Sequence, residues 1–143
     1  MTTTFTHHSL TAESVRELLA ATTAAALEHG KAMSVAVVDH GGALQGFVRM
    51  DGAPLLSIRL AQDKAGTAAS FGIPTDQWHE FIKNDPPLAT GIPHVPGLVV
   101  FGGGYPLYVE GRLVGALGVS GGHYTDDMAV ARAALEATGL EVA

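Results

Sequence analysis

The chain has 143 residues, enough for one domain with a real core, and 47 % of them are apolar against 15 % charged. A formal charge of −6 without any run of Lys and Arg gives nucleic acid or an anionic membrane nothing to grip, and the absence of cysteine excludes disulfides, thiolate zinc sites, iron–sulfur clusters and a Cys nucleophile. Met1 to Leu10 lacks an apolar h-region and no window approaches the roughly 18 apolar residues of a span, so we expect a cytoplasmic protein without signal peptide or membrane segment. Charged residues are scarce beside the usual share of about 25 %, which predicts burial of surface against copies of the same chain.

Thr11 reads as the cap of a first helix with Glu13 in its opening turn. Val15, Leu18, Leu19, Thr22 and Ala26 recur at helical spacing, and Gly30 stops the helix. Ser34 to His40 predicts a buried strand, Gly41-Gly42 a tight turn, and Ala43 to Met50 its hairpin partner. Pro54 suits the first position of a second helix lined by Ala61, Ala65, Gly66, Ala68 and Ala69, a face that permits close packing on a sheet or a neighbouring subunit. Gly72 and Pro74 end it. Thr75 opens a short third helix with Trp78, Phe81 and Ile82 in one stripe, and Asn84 to Gly97 is a loop with four prolines.

Leu98 to Phe101, Tyr105 to Val109 and Arg112 to Ser120 then read as strands, the last two joined at Glu110-Gly111. Thr125 is the expected cap of a closing helix with Met128, Ala131, Leu135 and Thr138 on one face and Gly139 at its end. The hairpins predict an α/β (α+β) domain whose largely antiparallel, five-stranded sheet is flanked by helices.

Several residues invite a chemical reading. Gly118-Val119-Ser120-Gly121-Gly122 matches the pattern of a nucleophile elbow, but the only later histidine, His123, precedes the acids Asp126 and Asp127, the wrong order for that machinery. A strand-to-helix turn is the simpler account. The spaced glycines Gly115, Gly118 and Gly121 do not make a phosphate loop either, because Asp126 and Asp127 at the next helix would repel a phosphate.

No metal-ligand spacing occurs among the seven histidines. His29 fits a dipole partner at a helix C-terminus. His40, His94 and His123 each lie in a turn or loop beside glycine or proline, where ligand-contacting residues concentrate. Imidazole there suits either axial haem ligation or proton transfer. Lys64, among small residues in mid-helix, is either desolvated with a lowered pKa or a snorkelling side chain at the edge of the sheet. Asp39, Arg49 and Asp51 at the hairpin ends are explained by hydrogen bonds that fix the turns.

Arg49-Met50-Asp51-Gly52-Ala53-Pro54, with Val37-Val38-Asp39, Gly42, Lys64-Ala65, Thr67-Ala68, Gly103-Gly104, Pro106, Gly111, Gly115, Gly118 to Gly121 and Asp127, resembles the signature of the GlcG/HbpS-like haem-binding and haem-degrading family. That family also forms the C-terminal part of PduO-type corrinoid adenosyltransferases. The likeness runs from about Leu10 to Leu140. It implies a profilin-like fold, a homo-oligomer (octamer or tetramer), and haem as the cofactor. The chain departs from the pattern at His40, His94, Phe101-Gly102 and His123-Tyr124.

Two functions follow as expectations. The first is binding of a haem-type tetrapyrrole for handling, sensing or degradation, with His94, Phe101, Gly103, Gly104, Tyr105, Ser120, Gly121 and Tyr124 as ligand-binding residues and Leu107 adding apolar surface. The alternative is a cofactor-independent lyase, hydrolase or isomerase acting on a small molecule, with His40, His123, Lys64 and Asp127 as the catalytic set in an oligomer pocket.

Overall fold

The computed structural model describes residues 1–142. Its elements are α1 (Ala12–His29), β1 (Ser34–Asp39), β2 (Leu44–Arg49), α2 (Leu56–Phe71), α3 (Trp78–Ile82), α4 (Pro86–Gly91), β3 (Gly104–Val109), β4 (Arg112–Ser120) and α5 (Tyr124–Thr138). The sheet has four strands in the order β2-β1-β4-β3, every neighbouring pair antiparallel.

Strand side chains alternate between faces, and here the two faces differ in bulk. Val35, Val37, Leu107, Leu117 and Val119 point into a core with Val15 and Leu18 of α1 and Val130, Ala134 and Leu135 of α5. Ala36, Val38 and Ala116 face the other way, onto Ala61, Ala65, Ala68 and Ala69 of α2. The sheet is thus sandwiched between an α1–α5 pair and the single helix α2.

Bulk on one side and its absence on the other set the layer spacings. Gly104 and Gly118 are register partners on the α2 side. A Cβ at Gly118 would fall far inside contact distance of the Ala61 carbonyl oxygen, and one at Gly104 would do the same at the Lys64 carbonyl. Backbone therefore rests on backbone. The small-residue face of α2 is consumed by its own sheet, which removes it as a reason to expect an interface between subunits.

The expected fifth strand is not one. Val99 N–H donates to Thr67 Oγ1 at 3.0 Å, Leu98 N–H to the Val95 carbonyl, and Gly97 O accepts from Thr67 Oγ1, so Leu98 to Phe101 runs along α2, held by a side chain rather than by a ladder. An apolar run alone does not distinguish a strand from an extended segment packed on a helix. The four-proline stretch also holds more structure than a loop: Asp85 accepts from Leu88 N–H as an N-cap, with Pro86 opening α4 and a 3₁₀ turn following at Ile92–His94. Pro54 stands just before α2 rather than within it.

Other expectations hold. Thr11 caps α1 through Ser14 N–H at 3.1 Å, and Gly30, Gly72 and Gly139 end their helices. Asp39 Oδ1 accepts from both Gly41 and Ala43 N–H at 2.9 Å, fixing the first hairpin turn.

Candidate functional site

One end of the sheet gathers most of the chemistry. In register there lie Arg49 of β2, Ser34 of β1 and Ser120 of β4, with Gly103-Gly104 entering β3 beside them. Lys64 reaches this rim from beneath. It is wholly buried, and its ammonium donates to Asp127 Oδ2 at 2.7 Å and to the Val119 carbonyl at 3.0 Å. The Phe101 ring covers its remaining side, with the centroid 5.3 Å from Nζ, inside cation–π range.

Burial pushes the Lys64 ammonium below its usual pKa, opposed by the charge and hydrogen bond of Asp127. The sequence expectation of a desolvated lysine is thus met, and the snorkelling alternative is not. Asp127 is equally committed: its other oxygen accepts Gly122 N–H at 3.0 Å, fixing the Gly121-Gly122 turn. Gly103, at φ 125°, passes directly over the pair, where a Cβ would sit 2.7 Å from Nζ and 2.6 Å from the Val119 carbonyl. Three elements (α2, β4 and α5) are pinned together at one ammonium.

Beyond the turn, His123 rather than Thr125 is the N-cap of α5. Its Nδ1 lies 3.3 Å from Thr125 N–H and 2.9 Å from Thr125 Oγ1, while Asp126 Oδ2 accepts His123 N–H at 3.1 Å. Nε2 of His123 has no hydrogen bond among the described residues. The imidazole packs 4.1 Å from the Tyr124 ring, and Tyr124 lies 6.4 Å from Phe101, centroid to centroid. Both aromatic residues are more than 40 % exposed, which leaves an aromatic face beside the buried pair.

His29 at the end of α1 does more than meet the helix dipole. Its Nε2 lies 2.9 Å from Asp126 Oδ1, tying α1 to the start of α5. That hydrogen bond holds the Asp126 carboxyl below its ordinary range, with the His123 N–H and the Lys31 charge acting the same way and desolvation opposing them. A depressed carboxyl pKa stabilises above the unfolded value, here 3.8, and the contribution disappears as pH falls through the folded value. Urea unfolding of Asp126→Asn should therefore show a lower midpoint than wild type at pH 7, with the gap closing below pH 3.8. A gap that stays constant across that range would refute the charge-based account.

The rim brings together Lys64, Asp127, Phe101, Gly103, Gly104, Ser120, Gly121, His123 and Tyr124. Four expected residues lie elsewhere or turn away. His40 is at the opposite end of β1, stacked on His7 at 4.3 Å and hydrogen-bonded to Ser9 Oγ. His94 is exposed, on a segment whose next residues, Val95 to Leu98, border Gly41-Gly42 at that far end. Tyr105 begins β3 at the rim, but its ring turns toward α5, 2 % exposed, donating to Asp76 Oδ2 at 3.2 Å under Arg132. Desolvation, reinforced by Asp76, pushes the Tyr105 phenol up to about 12. Leu107 is fully buried in the same core and supplies no ligand surface.

Sequence reasoning also passed over the Ser34–Ser57 hydroxyl pair, 2.8 Å apart at the rim, and the His29–Asp126 tie. Nothing local signals either, since their members lie 23 and 97 residues apart. Ser120 has no imidazole hydrogen-bond partner among the described residues, and the glycines around it serve close approaches, Gly118 to α2, Gly121 to Ala32-Met33 and Gly122 to Asp126. Neither an elbow nor an assembled acid–base set involving His40 is present.

Comparison with known proteins shows the family. Residues 10–136 match the family described as haem degrading protein HbpS-like, and the chain belongs to that family. It is 35 % identical over 133 residues to the corrinoid adenosyltransferase PduO of Citrobacter freundii, covering 92 % of this chain but 40 % of that protein. The chain thus spans about two fifths of the length of that relative. Among solved structures it resembles PduOC in complex with haem (TM-score 0.86, 32 % identity, 94 % of this chain and 98 % of that one). It also resembles a double mutant of HbpS from Streptomyces reticuli (TM-score 0.81, 34 % identity, 95 % and 90 %).

Proposed function

We propose that this member of the HbpS-like family is a cytoplasmic haem-type tetrapyrrole-binding protein that handles haem, for sensing or degradation, as a homo-oligomer on a profilin-like scaffold. The observation that carries the reading is the near full-length likeness, at 32 % identity, to a domain crystallised with haem. The rim supports it chemically. Phe101 and Tyr124 offer exposed aromatic surface for a flat macrocycle, and His123 has an unengaged Nε2 beside them. Were His123 to hold the iron, it would do so through Nε2, with its ring proton on Nδ1 where Thr125 Oγ1 would accept it, at the cost of the weak bond from Thr125 N–H. Lys64 and Asp127 act as the foundation beneath this face.

Titration of the purified chain with haemin should give a saturable Soret shift. His123→Asn is the informative variant, because asparagine is a good N-cap but brings no imidazole. We expect it to fold normally and to change the position of the Soret band. Absence of saturable haemin binding by the wild type would overturn the function. An unchanged spectrum in His123→Asn would remove only the axial role of that residue.

A further inference from the structure

At the β2 end of the same rim lies a groove of about 580 Å³, within the roughly 300–1,000 Å³ of small-molecule sites. It runs between the last turns of α1 with the Gly30–Ala32 connection and the Val48–Asp51 end of β2. Leu27, Val48 and Met50 give it apolar walls, and Leu27 is 71 % exposed, an apolar side chain left on a helix surface. Lys31 and Arg49 line it as well. Neither forms an ion pair among the described residues. Asp51 is the one carboxylate on the lining, and the C-terminal end of α1 adds partial negative charge. Two cations offset both.

We infer that this groove receives the carboxylate-bearing edge of the ligand, with Lys31 and Arg49 pairing its carboxylates and Leu27, Val48 and Met50 covering its apolar body. The inference rests on the tetrapyrrole reading above and names the part of the molecule that reads the propionates. Arg49 is suited to bidentate carboxylate recognition, Lys31 to a point contact. Register connects the groove to the His123 turn. Ser34 pairs with Arg49 on one side and with Ser120 on the other, so Arg49 and Ser120 are two strand spacings apart, about 10 Å. His123 follows Ser120 by one short turn. The groove and the His123 turn thus share one end of the sheet.

The test uses the whole chain as wild type and as the Lys31→Gln/Arg49→Gln double variant, with haemin, iron-free protoporphyrin IX and protoporphyrin IX dimethyl ester as probes. Both substituted side chains are exposed, so circular dichroism should match wild type, with only a small fall in the urea midpoint from losing the Lys31 charge near Asp126. The double variant should bind the two free acids at least about tenfold more weakly, the scale of losing charge-assisted hydrogen bonds. The ester should bind both proteins alike. Equal affinity of both proteins for the free acids, with haemin still bound, would overturn the groove and leave the haem reading standing. An ester bound by wild type as tightly as the free acid would overturn carboxylate recognition. Failure of wild type to bind either haemin or protoporphyrin would overturn both readings together.

Discussion

Asp127→Ala is expected to destabilise the domain by about 3–5 kcal/mol, the scale for removing one member of a buried ion pair. The loss is large because the alanine leaves the Lys64 ammonium with no exit to water, one carbonyl and the Phe101 ring its only company. Gly122 N–H loses its acceptor as well. Against a total stability of about 5–15 kcal/mol for a domain of ordinary size, that is a large fraction. Equilibrium urea unfolding reads it directly. A loss below about 1 kcal/mol, the range of exposed pairs, would mean that Lys64 finds water in the native state. The double variant Lys64→Met/Asp127→Leu should recover much of the loss, since a well-packed apolar pair often replaces a buried ionic one at little cost.

Gly118→Ala should be nearly as damaging. Overpacking commonly costs about 1–3 kcal/mol and more where nothing can rotate aside. Here the new methyl group meets the Ala61 carbonyl and the Ala65 amide, backbone atoms of α2 that move only if the whole helix lifts from the sheet. Gly66→Ala provides the control on the same helix. It meets nothing within 4 Å and should stabilise by about 0.4–1 kcal/mol, through helix propensity and a less flexible unfolded chain. If thermal melts rank the two variants alike, the close approach of α2 to β4 is not what Gly118 provides.

Much of the scaffold is written locally and was therefore legible. Thr11, Asp39, Gly30 and Gly139 act on neighbours within a few residues, and their turns and caps follow from short-range sterics and hydrogen bonding. Lys64 stood out by its small neighbours, which left desolvation and snorkelling both open until the fold buried it. Its partner did not. Asp127 lies 63 residues away, and only the completed fold places them in contact. The same limit hid the fate of Leu98 to Phe101, which depends on a Thr67 hydroxyl in a different element. The α4 start was readable after all in Asp85-Pro86, an N-cap followed by an N1 proline, but the density of prolines drew the eye to a loop. The three loop histidines looked alike in sequence. Strand register separates them, sending His40 to one end of the sheet and His123 to the other.

The direct contact of α2 with β4 also determines which parts of the molecule can carry a message. Packed helices ordinarily shift by small shear steps, their interlocking side chains trading places as they slide. A helix whose main chain touches the sheet has no such cushion, and the Lys64–Asp127 pin fastens it to α5 besides. These parts form a plate without internal slack. Any adjustment on this scaffold therefore falls to stretches outside the plate, such as Pro86–His94, in which no residue is buried.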